Sequence, residues 1–258
     1  MDGGIIQLGD FLSRSRQYLS EAGMAKATKE IVVWAYLSAM GPVLSRGLSE
    51  KAEAVRDVDS AIQFAFAPSY HGLSISVQQV KEEMTELLGL VKGLKPKTLL
   101  EIGTANGGTL FLFTRVASAD AVILSVDLPA TLISGGYSEW RRRLYESFAL
   151  DQQSISCFRS DSHSPETSKL VKGRLGEKTL DLLFIDGDHS YRGVKMDFEM
   201  YSPLVRKGGM IVLHDIAPHR DKIVGVSNYW NELRNEYATV EILAKPDQGW
   251  AGIGVVHK

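Results

Sequence analysis

Five acids punctuate the chain from residue 101 onward: Glu101, Asp127, Asp161, Asp186 and Asp215, each at or just past the end of a predicted strand. Histidines accompany the last two, with His189 three residues after Asp186 and His214 immediately before Asp215. Carboxylates gathered at one edge repel one another unless a ligand, a cation or hydrogen bonds offset the charge. One acid after a strand needs no explanation, but five in succession point to a ligand-binding edge. Asp127 stands where the acid ending the second strand of a βαβ unit accepts hydrogen bonds from ribose hydroxyls. An imidazole titrates near neutrality and is a natural proton acceptor. His189 and His214 are therefore candidates for base or ligand, against a purely structural hydrogen-bonding role.

The stretch Leu99-Leu100-Glu101-Ile102-Gly103-Thr104-Ala105-Asn106-Gly107-Gly108-Thr109 joins an apolar run to a turn of small residues and then to Leu110-Phe111-Leu112-Phe113. It reads as a buried strand, a tight turn and the start of a helix. Glycines at 103, 107 and 108 let a ligand approach the backbone and tolerate positive φ. Dinucleotide binding calls for G-x-G-x-x-G against a pyrophosphate. Here the second glycine is replaced by Ala105, and Glu101 would repel a pyrophosphate while attracting an ammonium. On charge, the turn favours S-adenosylmethionine (SAM) over a nicotinamide dinucleotide.

The elements that must position these residues follow a regular alternation. Strands are expected at Thr98–Ile102, Ala121–Val126, Ser154–Arg159, Leu180–Ile185 and Met210–Leu213, with helices between them, a pattern that predicts a doubly wound parallel sheet. Thr239–Leu243 and Gly252–Val256 are linked too briefly for a crossover and should pair antiparallel. Ser74 to Gly93 carries Val77, Val80, Met84, Leu87, Leu88 and Val91 at helical spacing. Residues 1–70 read as a helical segment, a cap or oligomerisation element broken by Gly41-Pro42, and residues 71–258 as the cofactor-binding domain.

With 258 residues, 44% hydrophobic and 23% charged, the chain is long enough for one α/β domain with a sizeable core. A net charge of −2 gives no electrostatic case for nucleic acid or an acidic membrane surface. The lone Cys157 cannot form an internal disulfide, and the longest apolar run is too short to span a bilayer. A cytoplasmic protein is the expectation, with the apolar N-terminal helices suiting a homodimer or higher oligomer.

Leu99 to Gly108 resembles motif I of class I SAM-dependent methyltransferases, whose fold is a Rossmann-like seven-stranded sheet with a final antiparallel strand. Phe184-Ile185-Asp186-Gly187-Asp188-His189-Ser190-Tyr191 and Gly208-Gly209-Met210-Ile211-Val212-Leu213-His214-Asp215 are more narrowly similar to the group containing the cephalosporin hydroxylase family and macrocin-type sugar O-methyltransferases. The resemblance implies that Glu101, Gly103, Thr104, Ala105, Asn106 and Gly107 line the methionine part of SAM. It places Asp127 at the ribose and Ser160 and Asp161 at the adenine, with Asp186 at the reacting end. It implies a metal site of Asp186, His214 and Asp215 in metal-dependent members. Histidine in place of an acid or amide there suits Mn²⁺, Fe²⁺ or Zn²⁺ better than Mg²⁺. His189, His214 and Asp186 are the catalytic candidates for O-methylation of a small-molecule or sugar-containing acceptor. A metal-independent enzyme with a histidine base, a SAM-binding accessory protein and a nicotinamide oxidoreductase are the competing readings.

Other residues carry weaker signals. Tyr137, Trp140 and Arg141 to Arg143 form either a lid or, preferably, a solvated helix face. His219 is read in preference as an ordinary loop histidine rather than a substrate contact, Trp250 either walls the pocket or covers the hairpin, and His163 is expected only to cap a helix. His71 and His257 receive no role.

Overall fold

The computed structural model describes residues 24–67, 70–130, 135–221 and 223–258. Seven strands form one sheet: β1 (Thr98–Ile102), β2 (Val122–Asp127), β3 (Ser154–Arg159), β4 (Leu180–Ile185), β5 (Val205–His214), β6 (Ala238–Ile242) and β7 (Ile253–His257). Their order is β3-β2-β1-β4-β5-β7-β6. The first five run parallel, and β7 lies antiparallel between β5 and β6. The fold is thus the Rossmann-like, mostly parallel sheet that the alternation predicts. Chain order reverses between β1 and β4, which is where open α/β sheets bind ligands.

Side-chain alternation divides the core in two. Leu99, Ile123, Leu182, Phe184 and Val212 face the layer containing α3 (Lys81–Leu94) and α4 (Gly108–Val116). Leu100, Ile102, Leu124, Val126, Leu183, Ile185, Ile211 and Leu213 face the layer with α6 (Pro165–Leu175), α7 (Tyr191–Tyr201) and α8 (Val226–Glu236). Helix α5 (Glu139–Glu146) adds Leu144 and Tyr145 to the first layer.

Three local expectations are corrected. The helix read from Ser74 begins only at Lys81, and residues 74–80 form an extended strap. Ser74 Oγ accepts from Ser76 N–H at 2.8 Å and Val77 N–H bonds Ala65 C=O at 3.1 Å, so local and cross-chain bonds replace the helical ladder. Strand β5 starts five residues before Met210, because Gly208 at φ +76° sits within the strand and its N–H bonds Lys258 C=O at 2.7 Å. Gly41-Pro42 does not break the N-terminal helix: α1 (Met24–Glu53) runs through it. A Cβ at position 41 would lie 2.5 Å from the Trp140 ring, so this glycine serves packing rather than a turn.

The N-terminal part of the expected cap, residues 1–23, lies outside the described residues. Further on, Leu48 and Ala52 of α1 and Ala61, Ile62 and Ala65 of α2 (Val58–Ala65) belong to the same core as Phe111 and Phe113. No described helix is long and apolar enough to cross a membrane.

Candidate active site at the sheet's switch point

A cleft of about 940 Å³ opens at the carboxyl ends of β1, β2 and β4. Its floor is the turn after β1, which takes positive φ at Gly103 (+90°), Ala105 (+45°) and Gly107 (+84°). A Cβ at Gly103 would stand 2.0 Å from the Asp186 carbonyl oxygen, so glycine alone lets the ends of β1 and β4 meet. Ala105 adopts the left-handed conformation without being glycine. Its N–H bonds Asp127 Oδ2 at 2.7 Å and its carbonyl accepts from Tyr145 O–H at 2.6 Å. Asp127 also accepts from Leu128 N–H at 2.7 Å, and burial raises its pKa against those bonds.

Gly103, Thr104, Ala105, Asn106, Asp127, Ser160, Asp161, Asp186, His214 and Asp215 all line this cleft. Glu101 does not reach its surface. Being second from the end of β1, it shares the side of Leu99 and points under α4, where it is fully buried. Its Oε1 accepts from the Thr109 hydroxyl, while Oε2 is buried without a partner among the described residues. Desolvation pushes its pKa up to about 8. Gly107 is packed under the Tyr145 ring.

At the end formed by β4 and β5, four side chains interlock. His189 Nε2 lies 3.3 Å from Asp186 Oδ1, and its Nδ1 lies 3.2 Å from Asp215 Oδ2. His214 Nδ1 lies 3.1 Å from Asp186 Oδ1 and 3.4 Å from Asp215 Oδ1. His189 is the accessible histidine, with 43% of its side chain exposed against 6% for His214. Burial alone would raise Asp186, but the charge of His214 and hydrogen bonds from both histidines hold it well below the usual carboxylate range. Burial would likewise lower His214, but the neighbouring Asp186 charge lifts it instead. His189 is raised chiefly by its hydrogen bond to Asp186. Asp215 takes φ +63°, a left-handed backbone that a non-glycine residue adopts only when its surroundings impose it.

The atoms that could hold a cation belong to Asp186, His189 and Asp215, all within 4.8 Å of one another. His189 thus joins the two acids of the expected trio, and His214 packs against Asp186 and Asp215 from the end of β5.

Several contributors carry no sequence signal. Gln79 of the strap, nearly buried, donates to Asp186 Oδ2. Asn106 Nδ2 reaches Ser76 Oγ at 3.4 Å, and Arg141 Nη1 reaches Ser74 C=O at 3.0 Å. The arginine run is therefore only partly a solvated face. Arg142 pairs outside with Glu139, whereas Arg141 is buried and holds the strap. Tyr137 is buried against Tyr145 rather than lying over the cleft as a lid. His219 and Trp250 do line the cleft.

Residues 100–216 match the family model Methyltransf_24, described as a methyltransferase domain. The same fold occurs in the O-methyltransferase from Bacillus cereus in complex with SAH. That match is 17% identical, spans 78% of this chain and 90% of that one, and has a TM-score of 0.55. It occurs also in the O-methyltransferase TomG from Streptomyces achromogenes, involved in tomaymycin synthesis and in complex with SAM. There the identity is 18%, the coverage 78% and 89%, and the TM-score 0.51. The sequence is further similar to "Uncharacterized protein y4gI" of Sinorhizobium fredii (strain NBRC 101917 / NGR234), 30% identical over 148 residues. That match spans 56% of this chain and 16% of the relative's own length.

Proposed function

We propose that this chain is a SAM-dependent methyltransferase that methylates a hydroxyl of a small molecule. The observation that carries the reading is one cleft joining the glycine turn and Asp127 to the Asp186–His189–Asp215 cluster. Asp127 would take the ribose hydroxyls, the turn from Gly103 to Asn106 the methionyl part, and Ser160 and Asp161 the adenine. Gathering cofactor and acceptor in one geometry supplies much of the rate of such a transfer. In the transfer itself the acceptor oxygen bonds the methyl carbon as the carbon–sulfur bond breaks, leaving neutral S-adenosylhomocysteine (SAH). The hydroxyl proton must go to a base. His189 is the accessible imidazole beside the reacting end, and because its two ring nitrogens face Asp186 and Asp215 the proton is taken up by this coupled cluster rather than by a free ring nitrogen.

The same cluster fits a divalent cation. Asp186 Oδ1 is buried with only the two imidazoles beside it, and His214 Nε2 is buried without a hydrogen-bond partner among the described residues. Two carboxylates and an imidazole favour Mn²⁺, Fe²⁺ or Zn²⁺ over Mg²⁺. Asp186, His189 and Asp215 would hold the ion, which would lower the pKa of an acceptor hydroxyl. Methyl transfer measured with radiolabelled SAM on a panel of phenols, catechols and sugar alcohols tests the reading. SAM binding without transfer across the panel would favour an accessory role. Activity that survives chelation and Asp215→Ala would assign the proton to His189 alone.

A further inference from the structure

The loop after β3 carries a second histidine–carboxylate pair that the methyl-transfer end does not use. His163 lines the cleft with 18% of its side chain exposed. Its Nε2 lies 3.1 Å from the Gly193 carbonyl oxygen and 3.3 Å from Asp197 Oδ1, both on α7. Two acceptors at one ring nitrogen require a hydrogen there, so Nε2 carries a proton. Asp197 is completely buried, and His163 is the only cationic side chain paired with it among the described residues. A buried carboxylate with so little support needs a cation beside it. The hydrogen bond to Asp197 accordingly raises the His163 pKa to about 9, so both ring nitrogens carry hydrogens at neutral pH.

The second hydrogen, on Nδ1, has no hydrogen-bond acceptor among the described residues. Asp161 Oδ1 is 3.7 Å away, beyond hydrogen-bond distance, and it already accepts the His163 backbone N–H at 2.9 Å. Tethering of the loop does not explain the pair either. Tyr201, at the end of α7, already holds the loop by donating its hydroxyl to the Ser162 carbonyl at 2.6 Å. What the pair adds is a fixed donor on the cleft wall, in the loop that contributes Ser160 and Asp161.

We propose that His163, oriented by Asp197, reads the purine of the cofactor by donating Nδ1–H to an adenine ring nitrogen. The inference rests on the cofactor reading above. It makes His163 a specificity-determining residue and Asp197 a positioning residue. Replacing the accepting nitrogen by C–H preserves the shape of the purine and removes the acceptor, leaving a charged donor unpaired.

The test is calorimetric titration of the full chain with SAH and with its 1-deaza, 3-deaza and 7-deaza analogues. The wild-type protein should bind one analogue at least tenfold more weakly than SAH. In His163→Ala, SAH should fall to the affinity of that analogue and the difference between the two should vanish. Asp197→Asn should reduce the discrimination while leaving His163 in place. Equal binding of all four ligands by the wild type overturns the inference, as does discrimination that survives in His163→Ala. Should both variants fail to fold, His163→Gln keeps a donor towards Asp197 while removing Nδ1, and discrimination that survives in it overturns the inference. Failure of SAH itself to bind the wild type overturns the cofactor reading and this inference with it, whereas SAH binding without discrimination overturns this one alone.

Discussion

Glu101 offers the sharpest quantitative test, because it joins motif I to the core and is sealed from water. Burial raises its pKa from 4.5 to about 8. A raised carboxyl pKa stabilises the fold fully below the unfolded value and loses that contribution as pH rises towards the folded value. The window is therefore pH 4.5 to about 8. Each pH unit inside it costs about 1.4 kcal/mol, which amounts to about 3 kcal/mol by pH 7. Glutamine is a close mimic of the protonated acid, since each can accept from Thr109 through one oxygen and leaves one donor group on the other side. Glu101→Gln should thus abolish this slope. Urea unfolding of the cofactor-free protein at pH 5, 6, 7 and 8 measures it. The variant should gain about 2 kcal/mol on the wild type between pH 5 and pH 7. If the two stability profiles run parallel, Glu101 is ionised in the free protein and the reasoning from its burial fails.

Gly103→Ala should cost about 3 kcal/mol or more, because the new Cβ meets the Asp186 backbone at an unfavourable φ; chemical denaturation would show it. Asp127→Ala should weaken SAH binding by tenfold or more, read by calorimetry, through lost charge-assisted bonds to the ribose. Gln79→Glu places a second carboxylate against Asp186 and should lower kcat by tenfold or more with little change in SAH affinity, which steady-state kinetics and calorimetry separate. Chelation should abolish methyl transfer and added Mn²⁺ should restore it; unchanged activity would exclude the cation and leave His189 as base.

What could be read from the chain beforehand divides along a physical line. Strands and their acids are local: each apolar run names its strand, and the acid that follows lands at the sheet's carboxyl edge whatever the rest of the fold does. The alternation of β and α predicts the parallel sheet and the short link before Gly252 the antiparallel pair, whereas the order of the strands is seen only in the structure. Contacts across the chain left no such trace. Gln79 meets Asp186 across 107 residues, and its strap was hidden because Val77 and Val80 also satisfy the helical period that begins in earnest at Lys81. Arg141 looked like one of three surface cations until its partner, the Ser74 carbonyl, was placed beside it. Glu101 is the instructive middle case, since strand parity alone puts it on the side of Leu99 and Thr109 rather than in the cleft. The first acid of the series therefore lies behind the cradle, beneath Thr109 and Thr104 on the cleft wall, while Asp127, Asp186 and Asp215 line the cleft themselves. A sealed acid beneath a cofactor's cationic end is neutral while the site is empty, and a cation binding above it would draw its proton off. On the proposed cofactor reading, SAM added at pH 7 should therefore release a proton, read by calorimetry in buffers of different ionisation enthalpy, and Glu101→Gln should abolish that release.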